Sequence, residues 1–491
     1  MVRKETVVSM RTSRRNLLLG LGGAALVGAF DPVRREWISV AHADSRRGVP
    51  IPSLDGELVF DADSLDEASR DFGGIVERRP WAVLRPATVD DVVAMVLFAR
   101  RSGISVAMRG QAHSVFGQAQ ADAGVIVDSR TLAEIHEIGE HGAVVDAGVT
   151  WRDLVLEATA QGFTPPVLTD YLDLSIGGVL SVGGIGGATH RFGFVADTCL
   201  ELTVVTGEGK VVTCSLSSHR LLFQAVLGGL GQCAIIVKAR IALVQALPLA
   251  RLYQLTYTDL AAFLDDQRAA CDYERFDFLQ GLVSPLPTGG FVYVLQGARW
   301  FEPSTPPDDE TALAGLSPAA SEVQDLPYVA WLSRVDAFVA QWQAAGLWTT
   351  PHPWCDLFLP DHAVDAFSAQ ALAELTPGEL GAGVILLYPF KRSVLSKPLI
   401  RVPETDTLWL FDILRVVTPA SPPVDALLAK NRELFDRAVA VGGKRYPISA
   451  IPLRPSDFPV HYGSAFWPFA LAKRHWDPQR ILTPGQGIFL R

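Results

Sequence analysis

Cysteine is scarce in this chain. Its five residues, Cys199, Cys214, Cys233, Cys271 and Cys355, are scattered over 491 positions. None forms a C-x-x-C pair, which removes the usual spacing of a zinc or dithiol site. Their odd number and mostly apolar settings predict buried free thiols. Basic tracts are missing beyond the N-terminus. Lys and Arg total 43 against 53 Asp and Glu, a net charge of −10, so nucleic acid is not an expected partner. There is no phosphate-loop lysine, no H-E-x-x-H and no G-x-S-x-G, which excludes three common enzyme classes. No apolar run reaches the ~20 residues of a membrane-spanning helix. Aromatic residues are plentiful by contrast, with 11 Trp and 24 Phe to fill cores and pockets. The chain is too long for one ordinary core, so more than one domain is expected.

The N-terminus reads as an address. Arg11-Thr-Ser-Arg14-Arg15-Asn16 precedes an apolar run, Leu17 to Phe30, and Ala41-His-Ala43 offers a small-x-small cleavage site. A basic start, a short apolar core and an A-x-A site describe a secretory signal, 1–43. The paired arginines resemble the twin-arginine type, which predicts export and cleavage near Ala43. The alternative is an uncleaved membrane anchor.

Beyond the leader the pattern is α+β. Pro80–Pro86 reads as a short strand. Thr88-Val-Asp-Asp91 is a capping-box variant before Val92, Met95, Val96 and Ala99 at helical spacing, and Gly103 stops that helix. Strands follow at Ile104–Met108, Gly124–Asp128 and Ala143–Ala147. Thr150 caps a second helix that ends at Gly162. Glu201–Cys214 is a hairpin about Gly207-Glu-Gly209, and Leu221–Leu227 a short helix before the strand Ala234–Ile241. Near Leu247 longer strands begin, such as Phe291–Leu295 and Leu408–Leu414, with amphipathic helices at Leu260–Ala270 and Leu427–Val439. Glu302–Glu310 reads as an exposed loop. These shifts divide the chain into 55–246, 247–444 and a tail, 445–491, expected to return to loops.

Glycine carries the chemistry. Met108-Arg-Gly-Gln-Ala-His-Ser-Val-Phe-Gly-Gln-Ala119 follows a strand and sets His113 among small residues. Alone, it reads as a surface turn with an incidental histidine. Residues 177–187 then hold six glycines in eleven positions, beyond ordinary turn need. Gly229-Leu-Gly231-Gln-Cys-Ala234 fits G-x-G-x-x-A but follows a helix and precedes a strand. A Rossmann site needs strand, turn and helix in that order, so that reading and a nicotinamide reductase are set aside.

Taken together, Arg109-Gly110, His113-Ser114, Gly117-Gln118, the 177–187 stretch, Leu227-Gly-Gly-Leu-Gly-Gln232, Trp476-Asp-Pro478 and Ile481–Phe489 resemble the FAD-binding domain of the vanillyl-alcohol-oxidase superfamily. Thr169-Asp170-Tyr171-Leu172, His352-Pro-Trp354, Tyr388-Pro389 and His461-Tyr-Gly463 narrow the resemblance to cytokinin dehydrogenases. The resemblance implies a two-domain FAD-binding fold of the PCMH type, its flavin domain split between 55–246 and the tail. The substrate domain between them would be an antiparallel sheet flanked by helices.

It also implies roles. His113 would be the covalent anchor of FAD. Met108, Gly110, Gln111, Ala112, Ser114 and Gln118 would line the cofactor, together with Asp170, Ser175, Ser181, Ile185, Ile236, Tyr446 and Gln486. Backbone N–H groups of Gly110–Ser114 and Ser175–Ile185 would hold the pyrophosphate. Gln111-Ala112 departs from the family, because Ala112 would need a backbone angle that glycine tolerates better. No cysteine lies near Tyr171, so a single attachment is expected. Asp170 would be the catalytic residue, accepting a hydrogen bond from a substrate amine as hydride leaves the adjacent carbon. Gln280 stands where the family often has Glu and would contact substrate. Trp354 and Leu410 are either the walls of a flat pocket or ordinary core. The implied activity is oxidation of an N6-isoprenoid adenine, with oxygen or a quinone as electron acceptor. Oxidation of another amine, an alcohol or a carbohydrate on the same fold is the alternative. A binding protein that has lost its chemistry is a further one.

Overall fold

Val, Ile and Ala dominate Ala82–Arg85, Val106–Arg109 and Val125–Asp128, which suits strands covered on both faces. With Glu57–Val59 they make a four-stranded sheet in which Val125–Asp128 lies parallel to both of its neighbours. The computed structural model describes residues 27–31, 36–39 and 48–489. The expected export signal lies outside these residues, apart from the antiparallel pairing of Val27–Asp31 with Glu36–Ser39.

Helix Val89–Ser102 packs Val92, Met95, Val96 and Ala99 onto this sheet. Its start is the expected capping box of Thr88 and Asp91, and its stop is Gly103 at φ 66°. A five-stranded sheet follows in the order Val211–Ser215, Cys199–Thr206, Ala234–Ile241, Gly142–Asp146, Ile135–Gly139. The Gly207–Gly209 hairpin is present in it.

The third sheet has eight strands, and every pairing in it is antiparallel. Its order is Ala320–Pro327, Leu249–Tyr257, Phe291–Phe301, Phe278–Pro285, Val384–Lys391, Thr407–Leu414, Cys355–Pro360 and Lys444–Arg445. Side chains alternate across it. Trp409, Phe411 and Ile413 join a core with helices Leu260–Asp272, Asp361–Glu374 and Val424–Ala440. Leu408, Leu410, Tyr388 and Phe358 face the other way, into a core shared with the five-stranded sheet. The sheet is therefore a roof, backed by helices and facing the glycine loops. The fold is α+β and two-domained.

Two expectations need correction. The tail is not all loop: it holds helices Asp457–Tyr462 and Phe466–Trp476. Pro468 sits in the first turn of the second, where proline is tolerated. Trp467 and Leu471 are exposed while Phe469 is buried, so apolar residues lie on both faces and mask the helical period. The glycine stretch likewise contains a helix, Ile176–Val182. All five cysteines are buried and free, as expected.

Candidate active site

The strand Val106–Arg109 ends at the glycine loop, which bends back over Ser175. A Cβ on Gly110 would stand 2.0 Å from Ser175 Oγ, so only glycine permits this approach. Ala112 has φ 55°, the left-handed region for which glycine is better suited. The loop tolerates this because it is tied from outside. Phe72 N–H donates to the Ala112 carbonyl (2.8 Å), and Gly73 N–H to that of Ser114 (3.1 Å). Asp71 Oδ2 accepts from Gly117 N–H (2.7 Å) and from Ser114 Oγ (2.9 Å). Burial pushes the Asp71 carboxyl up to about 6 despite these donors.

His113 stacks on Phe72 at 4.0 Å, and His352 stacks on Phe72 at 4.0 Å. Tyr171, Trp348 and Trp354 complete an aromatic box with centroids 5.1, 5.9 and 5.7 Å from the His113 ring. Burial pulls the imidazole down to about 4, so it is a neutral base near pH 7.

The loop forms one wall of a deep cleft of about 320 Å³ between the glycine loops and the roof sheet. The wall includes Met108, Gly110, Gln111, Ala112, His113, Ser114 and Gln118. It continues through Asp170, Ser175, Ser181, Ile185, Ile236, Tyr446 and Gln486, and Trp354, Leu410 and Tyr388 face them from the roof. Trp354 is both cleft wall and core, since it packs with Val115 and Leu428. Gln118 Nε2 donates to the Ile448 and Ser449 carbonyls (3.2 and 3.3 Å), which ties the loop to the tail. Tyr446 Oη accepts from Gly184 N–H at 2.9 Å, and Ser181 Oγ donates to the Gly177 carbonyl at 2.7 Å.

Asp170 sits where this cleft meets the substrate half. Gln280 Nε2 donates to its Oδ2 at 2.6 Å, and Arg334 pairs with its Oδ1. Gln280 is buried and does not line the cleft, so the contact expected with substrate becomes a contact with Asp170. Arg334 is itself clamped, 4.5 Å over the Phe278 ring and 4.6 Å over Trp331. Its neighbour, helix Asp336–Ala344, is pinned by Arg152, which bonds Asp173 at 2.5 Å and Asp336 at 2.8 Å. Asp71, Phe72, Arg152 and Arg334 were not singled out from sequence. Each is an ordinary residue in an ordinary string, and only tertiary contact gives it a role.

These features fit a flavin dinucleotide. Backbone N–H groups of Gln111, Ala112, Ser114 and Gly178 donate to no group among the described residues. A side chain at 110 would fill the cradle they form, and the His113 ring stands in the wall of the same cleft.

A family model for an FAD binding domain matches residues 80–215, and one for "Cytokinin dehydrogenase 1, FAD and cytokinin binding" matches 287–489. Cytokinin dehydrogenase 5 of Oryza sativa subsp. japonica is 34% identical over 489 residues, covering 88% of this chain and 91% of its own. The chain belongs to the cytokinin dehydrogenase family. Another relative is the uncharacterized oxidoreductase ORF5 in the fasciation locus of Rhodococcoides fascians. It is 38% identical over 424 residues, covering 86% of this chain and 96% of its own. The crystal structure of 6-hydroxy-D-nicotine oxidase from Arthrobacter nicotinovorans shares the fold, with a TM-score of 0.68 at 22% identity. That match covers 87% of this chain and 96% of the other. Like other cytokinin dehydrogenase relatives, this chain is an FAD-dependent oxidoreductase with a small-molecule substrate pocket. No helix among the described residues is long and apolar enough to cross a membrane.

Proposed function

We propose that the protein oxidises the C–H bond next to the side-chain nitrogen of an N6-isoprenoid adenine, releasing adenine and an aldehyde. The observation that carries this is the Asp170 carboxylate, oriented by Gln280 and Arg334, in the same cleft as His113. An ionised carboxylate is acceptor-only and suits a substrate N–H. Both oxygens are engaged from behind, which fixes the carboxylate plane before substrate arrives. Trp354, Leu410 and Tyr388 supply flat apolar walls that exclude water. The bound flavin supplies a hydride acceptor in its isoalloxazine ring. Neutral His113 offers a ring nitrogen as the covalent anchor.

Anaerobic addition of isopentenyladenine to the purified holoenzyme should bleach the flavin absorbance. An unchanged spectrum would sink the cytokinin reading. Mass spectrometry of a tryptic digest should find the flavin on the peptide that contains His113. Export by the twin-arginine route is part of the proposal, supported by Arg14-Arg15 and Ala41-His-Ala43. N-terminal sequencing of the protein recovered from the producing cells should then begin near Asp44. Oxidation of another amine, an alcohol or a carbohydrate is the second reading. It is favoured by Arg334, whose charge already neutralises the carboxylate meant for an amine. Oxygen or a quinone completes the turnover as electron acceptor.

A further inference from the structure

Strand alternation puts two carboxyl groups on the cleft side of the roof. In Thr407–Leu414, Trp409, Phe411 and Ile413 face the helices, while Leu408 and Leu410 face the flavin half. Asp412 continues the second set and lines the cleft. Its directly opposed partner on Cys355–Pro360 is Asp356. There Cys355, Leu357 and Leu359 face the helices and Phe358 the cleft side, so Asp356 shares the face of Asp412.

Asp412 is 5% exposed and Asp356 0%. Neither has a salt bridge among the described residues. Asp412 Oδ1 and both Asp356 carboxyl oxygens lack any donor. The two side chains nevertheless lie within hydrogen-bonding reach of each other. Two buried carboxylates in contact do not both ionise, and one shared proton supplies the missing donor.

The surroundings place that proton. Asp356 faces Ser449 and the buried cation Arg445, which favour its charged form. Asp412 faces the charge of Asp170, which opposes its own. The phenols of Tyr388 and Tyr446, also facing the pair, are held protonated by burial. The negative charge therefore rests on Asp356 and the proton on Asp412, the member that forms the cleft wall.

We propose that Asp412 is a neutral carboxylic acid of the substrate pocket, whose single O–H bonds Asp356 in the empty site and turns to a ring acceptor of the bound substrate, leaving the Asp356 carboxylate to Ser449 and Arg445, while Asp170 accepts a hydrogen bond from the substrate. This rests on the substrate reading above and narrows it to flat heteroaromatic amines that carry both an N–H and an unprotonated ring nitrogen. A simple alkylamine has no ring acceptor, so the proton stays on the Asp412–Asp356 contact and the site gains no hydrogen bond from such a substrate.

Infrared spectroscopy of the holoenzyme tests the acid directly. A protonated-carboxyl carbonyl band should be present at neutral pH, vanish in Asp412→Asn, and shift when isopentenyladenine binds. In steady-state kinetics Asp412→Leu should raise KM for isopentenyladenine about tenfold, the scale of one lost hydrogen bond to a buried group. Asp412→Asn, which restores a donor, should recover most of that loss. Equal effects of Asn and Leu, or a band that ignores the ligand, would overturn the donor role. Absence of the band from the wild type would overturn the acid pair whatever the enzyme oxidises. A wild type that shows the band but is not bleached by isopentenyladenine would sink only the substrate reading.

Discussion

At the scale of single residues, His113 makes a prediction about pH. Its imidazole is held near 4 in the folded protein, against 6.5 for the free side chain. Above pH 6.5 it is neutral in both states and adds no pH dependence. As pH falls from 6.5 toward 4 the unfolded chain takes up a proton that the fold refuses, so stability falls. The loss amounts to about 3 kcal/mol in the flavin-free protein once pH is below 4. Denaturant titrations of His113→Phe should lack that share of the decline, leaving the part due to His190, His352 and His461, which burial depresses in the same direction. Asp170→Asn should lower kcat by roughly 10²–10⁴, the range for an acid–base group, with the flavin spectrum intact. His113 and Asp170 stand out in the sequence only through the resemblance that the glycine strings and Thr169-Asp170-Tyr171-Leu172 carry together, since each string alone reads as a turn. The sequence hides Arg334, whose string Leu-Ser-Arg-Val has no pattern, and whose role arises only when Phe278 and Trp331 hold it against Asp170.

At the scale of elements, the loop of residues 110–118 and the helix after Arg334 each depend on one device. Ala112→Gly should stabilise the protein by about 1 kcal/mol, since it removes a side chain from left-handed backbone. A rise in thermal midpoint without loss of flavin checks this. Gly110→Ala should fail to hold FAD, because the new Cβ meets Ser175 Oγ at 2.0 Å. Absorbance of the purified protein reads that outcome. Arg152→Ala frees helix Asp336–Ala344 from Asp173, and should lower kcat/KM through Arg334 while leaving the flavin bound. Strands and caps were legible wherever period and punctuation agree, as at Thr88, Gly103 and Ala234–Ile241. Helix Phe466–Trp476 was not, because it shows apolar side chains to solvent as well as to the core.

At the scale of the whole molecule, the tail closes what the first half begins. Lys473 and Asp477, 2% and 0% exposed, pair at 2.8 Å. Lys473 Nζ also donates to the Gln232 and Leu482 carbonyls, and Asp477 accepts from Ile481 and Leu482 N–H groups. Leu482 then bridges to Val106, at the root of the His113 loop. Asp477→Ala leaves a buried ammonium without its partner and should cost about 3–5 kcal/mol, measured by chemical denaturation. The sequence foretold that the two ends meet, through motifs at 108–119 and 476–489, but gave no hint of the ion pair that joins them. The same joinery sets an order of events in the cell. Tyr446 and Gln486 are walls of the cleft, yet a ribosome adds them long after the His113 loop on the opposite wall. The pocket cannot close around its dinucleotide until both of those residues have been made, so cofactor capture follows their synthesis.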